Sequence, residues 1–112
     1  MAALETIDRD ELSRRVEAGE GIVLVDALPP MSFARGRLPG AINIQPDWVD
    51  ERARHRLPNL DAEIVVYCAG PDCLSSVEVG ERLAELGYRR VRHYPGGKAD
   101  WVAAGLPLEG GR

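Results

Sequence analysis

Cys68 and Cys73 are the two cysteines of the chain, and they bracket a short polar loop. The local sequence is Ile64-Val65-Val66-Tyr67-Cys68-Ala69-Gly70-Pro71-Asp72-Cys73-Leu74-Ser75-Ser76. A β-branched apolar run delivers a thiol to a glycine-containing turn, and a helix start follows within a few residues. A thiol held there lies among backbone N–H groups, near the positive end of a helix dipole. A free cysteine titrates near pH ~8.5, so only a few per cent is thiolate at neutral pH. Inward amides stabilise the anion and lower that value. The same cradle stabilises a persulfide anion and favours an oxyanion or sulfite group approaching Cys68. The expected substrate-binding loop is Ala69, Gly70, Pro71, Asp72, Cys73 and Leu74. Gly70 permits a backbone path that a side chain would block, and Pro71 removes one N–H but stiffens the turn. The opposing reading of Cys68 is a small buried hydrophobe at the end of a core strand.

The elements that must position this loop alternate in an α/β rhythm. Asp8-Arg9-Asp10-Glu11 has the form of a capping box opening a helix that carries Leu12 and Val16 and stops at Gly19. Ile22 to Asp26 reads as a strand buried on both faces. Leu28-Pro29-Pro30 breaks the chain before a single helical turn at Met31 to Ala34. Ala41 to Ile44 is a short strand, and Pro46 starts a helix running to about His55. After the strand Ile64 to Tyr67, Ser75-Ser76-Val77-Glu78 has capping-box form, and Val79, Leu83 and Leu86 make the apolar stripe of a helix ended by Gly87. Arg90 to Tyr94 is a further strand, and Pro95-Gly96-Gly97 turns into a last helix carrying Trp101. Strands joined by helices pair in parallel with right-handed crossovers, and ligands bind at their carboxyl ends. Asp26, Cys68 and the Gly96-Gly97 turn all fall on that rim.

The 112 residues suffice for one domain, 1–112, and 45% of them are hydrophobic, which excludes a disordered tail. A net charge of −4 argues against nucleic-acid binding, and only one of the 14 basic residues, Lys98, is lysine. No apolar run is long enough to span a membrane, and Met1 to Thr6 lack the form of a signal peptide, so a cytoplasmic location is expected. Two cysteines are too few for a disulfide framework or a structural zinc site. His55 and His93 lie outside any metal-ligand spacing, so no metal and no organic cofactor are expected.

Three ordered motifs carry a family likeness. Leu24-Val25-Asp26 with Phe33-Ala34-Arg35-Gly36-Arg37-Leu38-Pro39-Gly40-Ala41-Ile42-Asn43-Ile44, then Val65-Val66-Tyr67-Cys68, then Tyr94-Pro95-Gly96-Gly97 through Trp101 to Pro107 cover almost the whole chain. The chain resembles a single-domain rhodanese. That resemblance implies an α/β fold with a central parallel sheet of about five strands and helices on both faces. It also implies a sulfurtransferase of the thiosulfate:cyanide type. A sulfane sulfur would pass from thiosulfate or a persulfide donor to a thiol or cyanide acceptor, as a persulfide on Cys68. The partners would be small sulfur donors and acceptors or a protein persulfide carrier.

Three departures from the family pattern bear on the chemistry. Cys73 stands where the family loop carries arginine, and the loop's one charged side chain is Asp72. Losing a cation and gaining an anion weakens attraction for dianionic thiosulfate by about 1 kcal/mol. Leu28 stands two positions after Asp26, where arginine is common, and Arg37 replaces the usual histidine. Arg37 either restores positive charge at the rim, as a substrate-binding residue, or is a solvated loop residue. A Cys-x5-Arg phosphatase loop needs arginine at position 74, which is Leu74. Cys73 has two open roles: an inert substitute, or a resolving thiol that closes a disulfide with Cys68. The rival function is thus a non-catalytic or redox-sensing interaction module using the Cys68/Cys73 pair. Ser75 and Ser76 can cap the helix or donate to a bound sulfur. His93 is expected to end its strand as a neutral, hydrogen-bonded residue. Asp26 is expected to brace neighbouring loops.

Overall fold

The structure, a computed structural model, describes residues 4–110. In chain order the elements are β1 (Glu5–Thr6), α1 (Arg9–Ala18), β2 (Val23–Asp26), α2 (Pro30–Arg35), β3 (Ile42–Asn43), a 3-10 turn (Pro46–Trp48), α3 (Val49–Arg56), β4 (Glu63–Tyr67), α4 (Ser75–Glu85), β5 (Arg90–Tyr94) and α5 (Gly97–Ala103). The strands form one parallel sheet in the order β1-β5-β4-β2-β3. β4 lies in the middle, paired with β2 from Val23↔Ile64 to Asp26↔Tyr67 and with β5 from Glu63↔Arg90 to Tyr67↔Tyr94.

The apolar strands are buried on both faces because side chains alternate across the sheet. Ile64, Val66 and Cys68 point into one core with Val25 and Val91, covered by Val49 and Ala53 of α3 and Val79 and Leu83 of α4. Val65, Tyr67 and Tyr94 point into the opposite core with Leu24, covered by Leu12 of α1 and Trp101 of α5. Burying Val79 and Leu83 contributes roughly 1.5–3 kcal/mol each, which clamps α4, and with it the loop after Cys68, to the sheet.

Helix ends follow local chemistry in α1. Asp8 accepts from the Glu11 N–H at 2.8 Å, and Gly19 takes a left-handed φ of 66° that favours glycine. Two expectations need correction. The edge strand β1 was not foreseen: Glu5 and Thr6 are exposed and carry no apolar run, and they pair with Arg92 and His93, the Arg92 guanidinium also donating to the Thr6 carbonyl at 2.9 Å. The capping box at Ser75 is not formed. Leu74 takes the cap position without a side-chain bond, and Ser76 lies within the helix, fully buried. No described helix is long and apolar enough to cross a membrane.

Candidate active site

Cys68 follows the last residue of the central strand and is 1% exposed. Its sulfur is bonded to that of Cys73, with Cα atoms 6.3 Å apart, a separation that suits a disulfide. The loop between them is folded by the Cys73 N–H donating to the Gly70 carbonyl at 3.2 Å. That bond withdraws one amide from the expected cradle. The N–H groups of Gly70, Asp72 and Leu74 donate to no protein group among the described residues. The Cys73 carbonyl oxygen lies 3.3 Å from the Cys68 sulfur, where it accepts from a thiol and opposes a thiolate.

The turn after β5 supports the loop from behind. Lys98 N–H donates to the Cys68 carbonyl and Ala99 N–H to the Ala69 carbonyl, both at 2.9 Å. Gly97 makes this approach possible. Its φ is +64°, and a Cβ there would stand 2.5 Å from the Cys68 oxygen and 2.8 Å from the Gly70 nitrogen.

On the α4 side a polar chain ends on the Cys68 sulfur. Ser76 Oγ is 3.3 Å from Cys68 Sγ and 2.9 Å from His93 Nε2. The pairing Val66↔His93 puts His93 on the same sheet face as Val66 and hence Cys68. Burial holds the His93 pKa below its ordinary value, so the ring is neutral near neutral pH. The sequence named both residues as hydrogen-bonding groups. Their meeting on one sulfur needed the strand register.

On the rim, Asp26 is fully buried and braces its neighbours, accepting from Leu28 N–H and from Tyr67 Oη–H, each at 2.9 Å. Lys98 Nζ lies 3.7 Å from Asp26 and donates to the Ser32 carbonyl at 3.0 Å. Burial raises the Asp26 pKa, partly offset by the Leu28 amide and by Lys98. Burial, and then the negative Asp26, also raise the Tyr67 pKa, so Tyr67 stays a protonated donor. Tyr67 Oη in turn accepts from Leu38 N–H at 3.0 Å.

Arg37 is placed differently from its expected substrate-binding role. Its guanidinium stacks over Phe33, 4.6 Å from the ring centroid, and donates to the Phe33 carbonyl, while its backbone pairs with Glu109. Local packing thus occupies its charge. The cations beside the loop are instead Arg35 and Lys98. They line a cavity of about 330 Å³ with Leu28, Ser32, Gly36, Ala69 and Leu108. A second concavity of about 400 Å³ is lined by the loop itself, Ala69 to Cys73. A third, of about 360 Å³ near Tyr88 and Arg90, is at the opposite, amino end of the strands, remote from this chemistry. Arg35 carries no distinctive spacing, and only the packing of α2 against the loop reveals it.

The arrangement is a buried sulfur at the carboxyl end of a central strand, with unpaired loop amides, a buried serine bonded to a half-buried histidine, and an adjoining cavity edged by Arg35 and Lys98. Comparison with known proteins agrees with it. The rhodanese-like domain family matches residues 8–104. The chain is 40% identical over 109 residues to the HTH-type transcriptional regulator Rv0324 of Mycobacterium tuberculosis, covering 96% of this chain but 46% of that protein. It is 31% identical over 102 residues to a sulfurtransferase of Allochromatium vinosum, covering 91% of this chain and 92% of that one. The crystal structure of the BH2092 protein from Bacillus halodurans superposes with a TM-score of 0.87 at 30% identity, over 95% of this chain and 77% of that one. This chain therefore belongs to the rhodanese-like domain family.

Proposed function

We propose that the domain transfers sulfane sulfur as a persulfide on Cys68. The observation that carries this reading is the seat of the Cys68 sulfur, buried at the end of β4, at the head of a loop with unpaired amides and in contact with Ser76. Likeness to a sulfurtransferase over nearly its full length supports the reaction class. The reduced Cys68 thiolate attacks the outer sulfur of the donor. A Cys68 S–S bond forms, the donor S–S bond breaks, and sulfite leaves thiosulfate, or a thiolate leaves a persulfide. An acceptor thiolate then takes the outer sulfur and Cys68 departs as thiolate. No metal or redox cofactor takes part in either half.

Donor choice follows from the charges. The loop's side-chain charge is Asp72, and Arg35 and Lys98 stand in the neighbouring cavity instead. Lys98 is met by Asp26, but Arg35 forms no ion pair among the described residues and suits a carboxylate of a small organic persulfide, whereas the loop repels a compact dianion at the sulfur. Steady-state assays with glutathione persulfide and with thiosulfate test this. A kcat/KM at least about tenfold higher for the persulfide is expected, equivalent to ~1.4 kcal/mol. Equal or better use of thiosulfate would reject the donor assignment.

The bonded Cys68–Cys73 pair supports a second reading, a redox-responsive module. Two balanced routes reach the disulfide. The Cys73 thiol can attack the inner sulfur of the Cys68 persulfide anion and expel hydrosulfide. Peroxide can oxidise Cys68 to a sulfenic acid, which condenses with the Cys73 thiol and releases water. Similarity to a transcriptional regulator, of which this chain spans less than half, is compatible with such a role.

A further inference from the structure

A buried hydroxyl and a half-buried imidazole are costly unless each finds a partner. Here they partner each other, and their free end touches the reactive sulfur: His93 Nε2 to Ser76 Oγ is 2.9 Å, and Ser76 Oγ to Cys68 Sγ is 3.3 Å. The surrounding core is otherwise apolar, built from Val25, Val66, Val79, Leu83 and Val91. Packing alone does not explain three polar side chains in a row there.

We propose that His93, acting through Ser76, is a positioning residue that sets the ionisation of Cys68. The inference rests on Cys68 being the sulfur carrier. With Cys68 as a thiol, Ser76 donates to a bare Nε2 and accepts from Sγ–H. On ionisation both protons move one step. The Sγ proton passes to Ser76 Oγ, the Ser76 proton passes to Nε2, and the ring releases its Nδ1 proton to solvent. The net change is one proton lost from Cys68, with His93 neutral before and after and its tautomer exchanged. Ser76 then donates to the thiolate, and His93 Nε2–H donates to Ser76. The same chain receives Cys68 when it leaves as thiolate at the end of sulfur transfer.

The surroundings of His93 suit a conduit more than a store of charge. α4 presents Ser76, β4 pairs the apolar Val66 with His93, and the edge strand β1 pairs the uncharged Thr6 with it. No charged side chain among the described residues shifts its titration; burial alone does so, downward. The nearby Cys73 carbonyl opposes a thiolate, so a donor from Ser76 is what offsets it.

The test is the pH dependence of alkylation of the fully reduced protein by iodoacetamide, with Cys68 and Cys73 separated by peptide mass mapping. Ser76→Ala is expected to raise the Cys68 midpoint by about one unit, and His93→Phe by about half a unit or more. His93→Gln, which keeps an N–H donor, should recover part of the shift. In the Ser76→Ala background the His93 substitutions should add nothing, because the connection is already cut. An unmoved midpoint in His93→Phe, or equal shifts in both backgrounds, would overturn the proposal. His93→Asn, too short to reach Ser76, decides the matter in the same cycle where the Phe variant fails to fold. Alkylation needs no sulfur donor. A shifted midpoint in a protein that accepts no sulfur would therefore reject the transferase and leave the relay standing.

Discussion

At the scale of single residues, the account turns on one sulfur with three neighbours of different chemistry. Ser76 can donate to it, the Cys73 carbonyl can only accept, and the Cys73 sulfur can bond to it. The first favours a thiolate, the second a thiol, and the third removes the nucleophile altogether. In the proposed reaction, Cys73 therefore decides whether transfer is available. Mild peroxide on the reduced protein is expected to consume both free thiols and stop turnover, with recovery on adding a thiol reductant. Cys73→Ser should still accept sulfur and should escape this reversible shut-off. A free-thiol count that stays at two in the wild type would remove Cys73 from any switch. The cysteine spacing made such a bond conceivable from sequence. Whether the side chains converge depends on the turn at Gly70, which composition does not specify.

At the scale of elements, the site exists because three strand ends and one helix start meet. β4 supplies Cys68, β2 supplies Asp26, the turn into α5 supplies Gly97 and Lys98, and α4 supplies Ser76. Gly97 is the closest of these fits. Gly97→Ala forces a left-handed backbone on a residue with a side chain and drives its Cβ toward the Cys68 carbonyl. The left-handed conformation alone costs about 1–2 kcal/mol, and the clash adds to it. Urea unfolding should show that loss together with faster alkylation of the loop cysteines. An Ala variant as stable as the wild type would mean that the turn does not hold the loop. These elements were readable early because β2 and β4 carry continuous apolar runs and the Gly and Pro punctuation is strong. The failed capping box shows the limit of pattern. Ser75-x-x-Glu78 has the right spacing, but α4 starts at Ser75 itself, and Ser76 is drawn inward to Cys68 and His93. β1 escaped notice because two exposed residues form no pattern, and sheet pairing alone makes them a strand.

At the scale of the whole molecule, one parallel sheet with a core on each face collects the reactive groups on its carboxyl edge. The fold class, the position of Cys68 at a strand end and the bracing aspartate were legible because each depends on local sequence: an apolar strand, a turn, an ordered motif. The placement of charge was not. Arg37 looked like the replacement for a missing cation, yet Phe33 and the Glu109 segment hold it, while Arg35 and Lys98 flank the loop. Which arginine of a pair two residues apart faces a cavity is set by α2 and the chain after α5, elements distant in sequence. The most direct test of the central claim is intact mass of the reduced protein after brief exposure to glutathione persulfide, in wild type and Cys68→Ser. The account predicts a gain of one sulfur atom in the wild type, removed by cyanide and absent from the variant. No gain in wild type shown to carry free thiols, or an equal gain in Cys68→Ser, would contradict it.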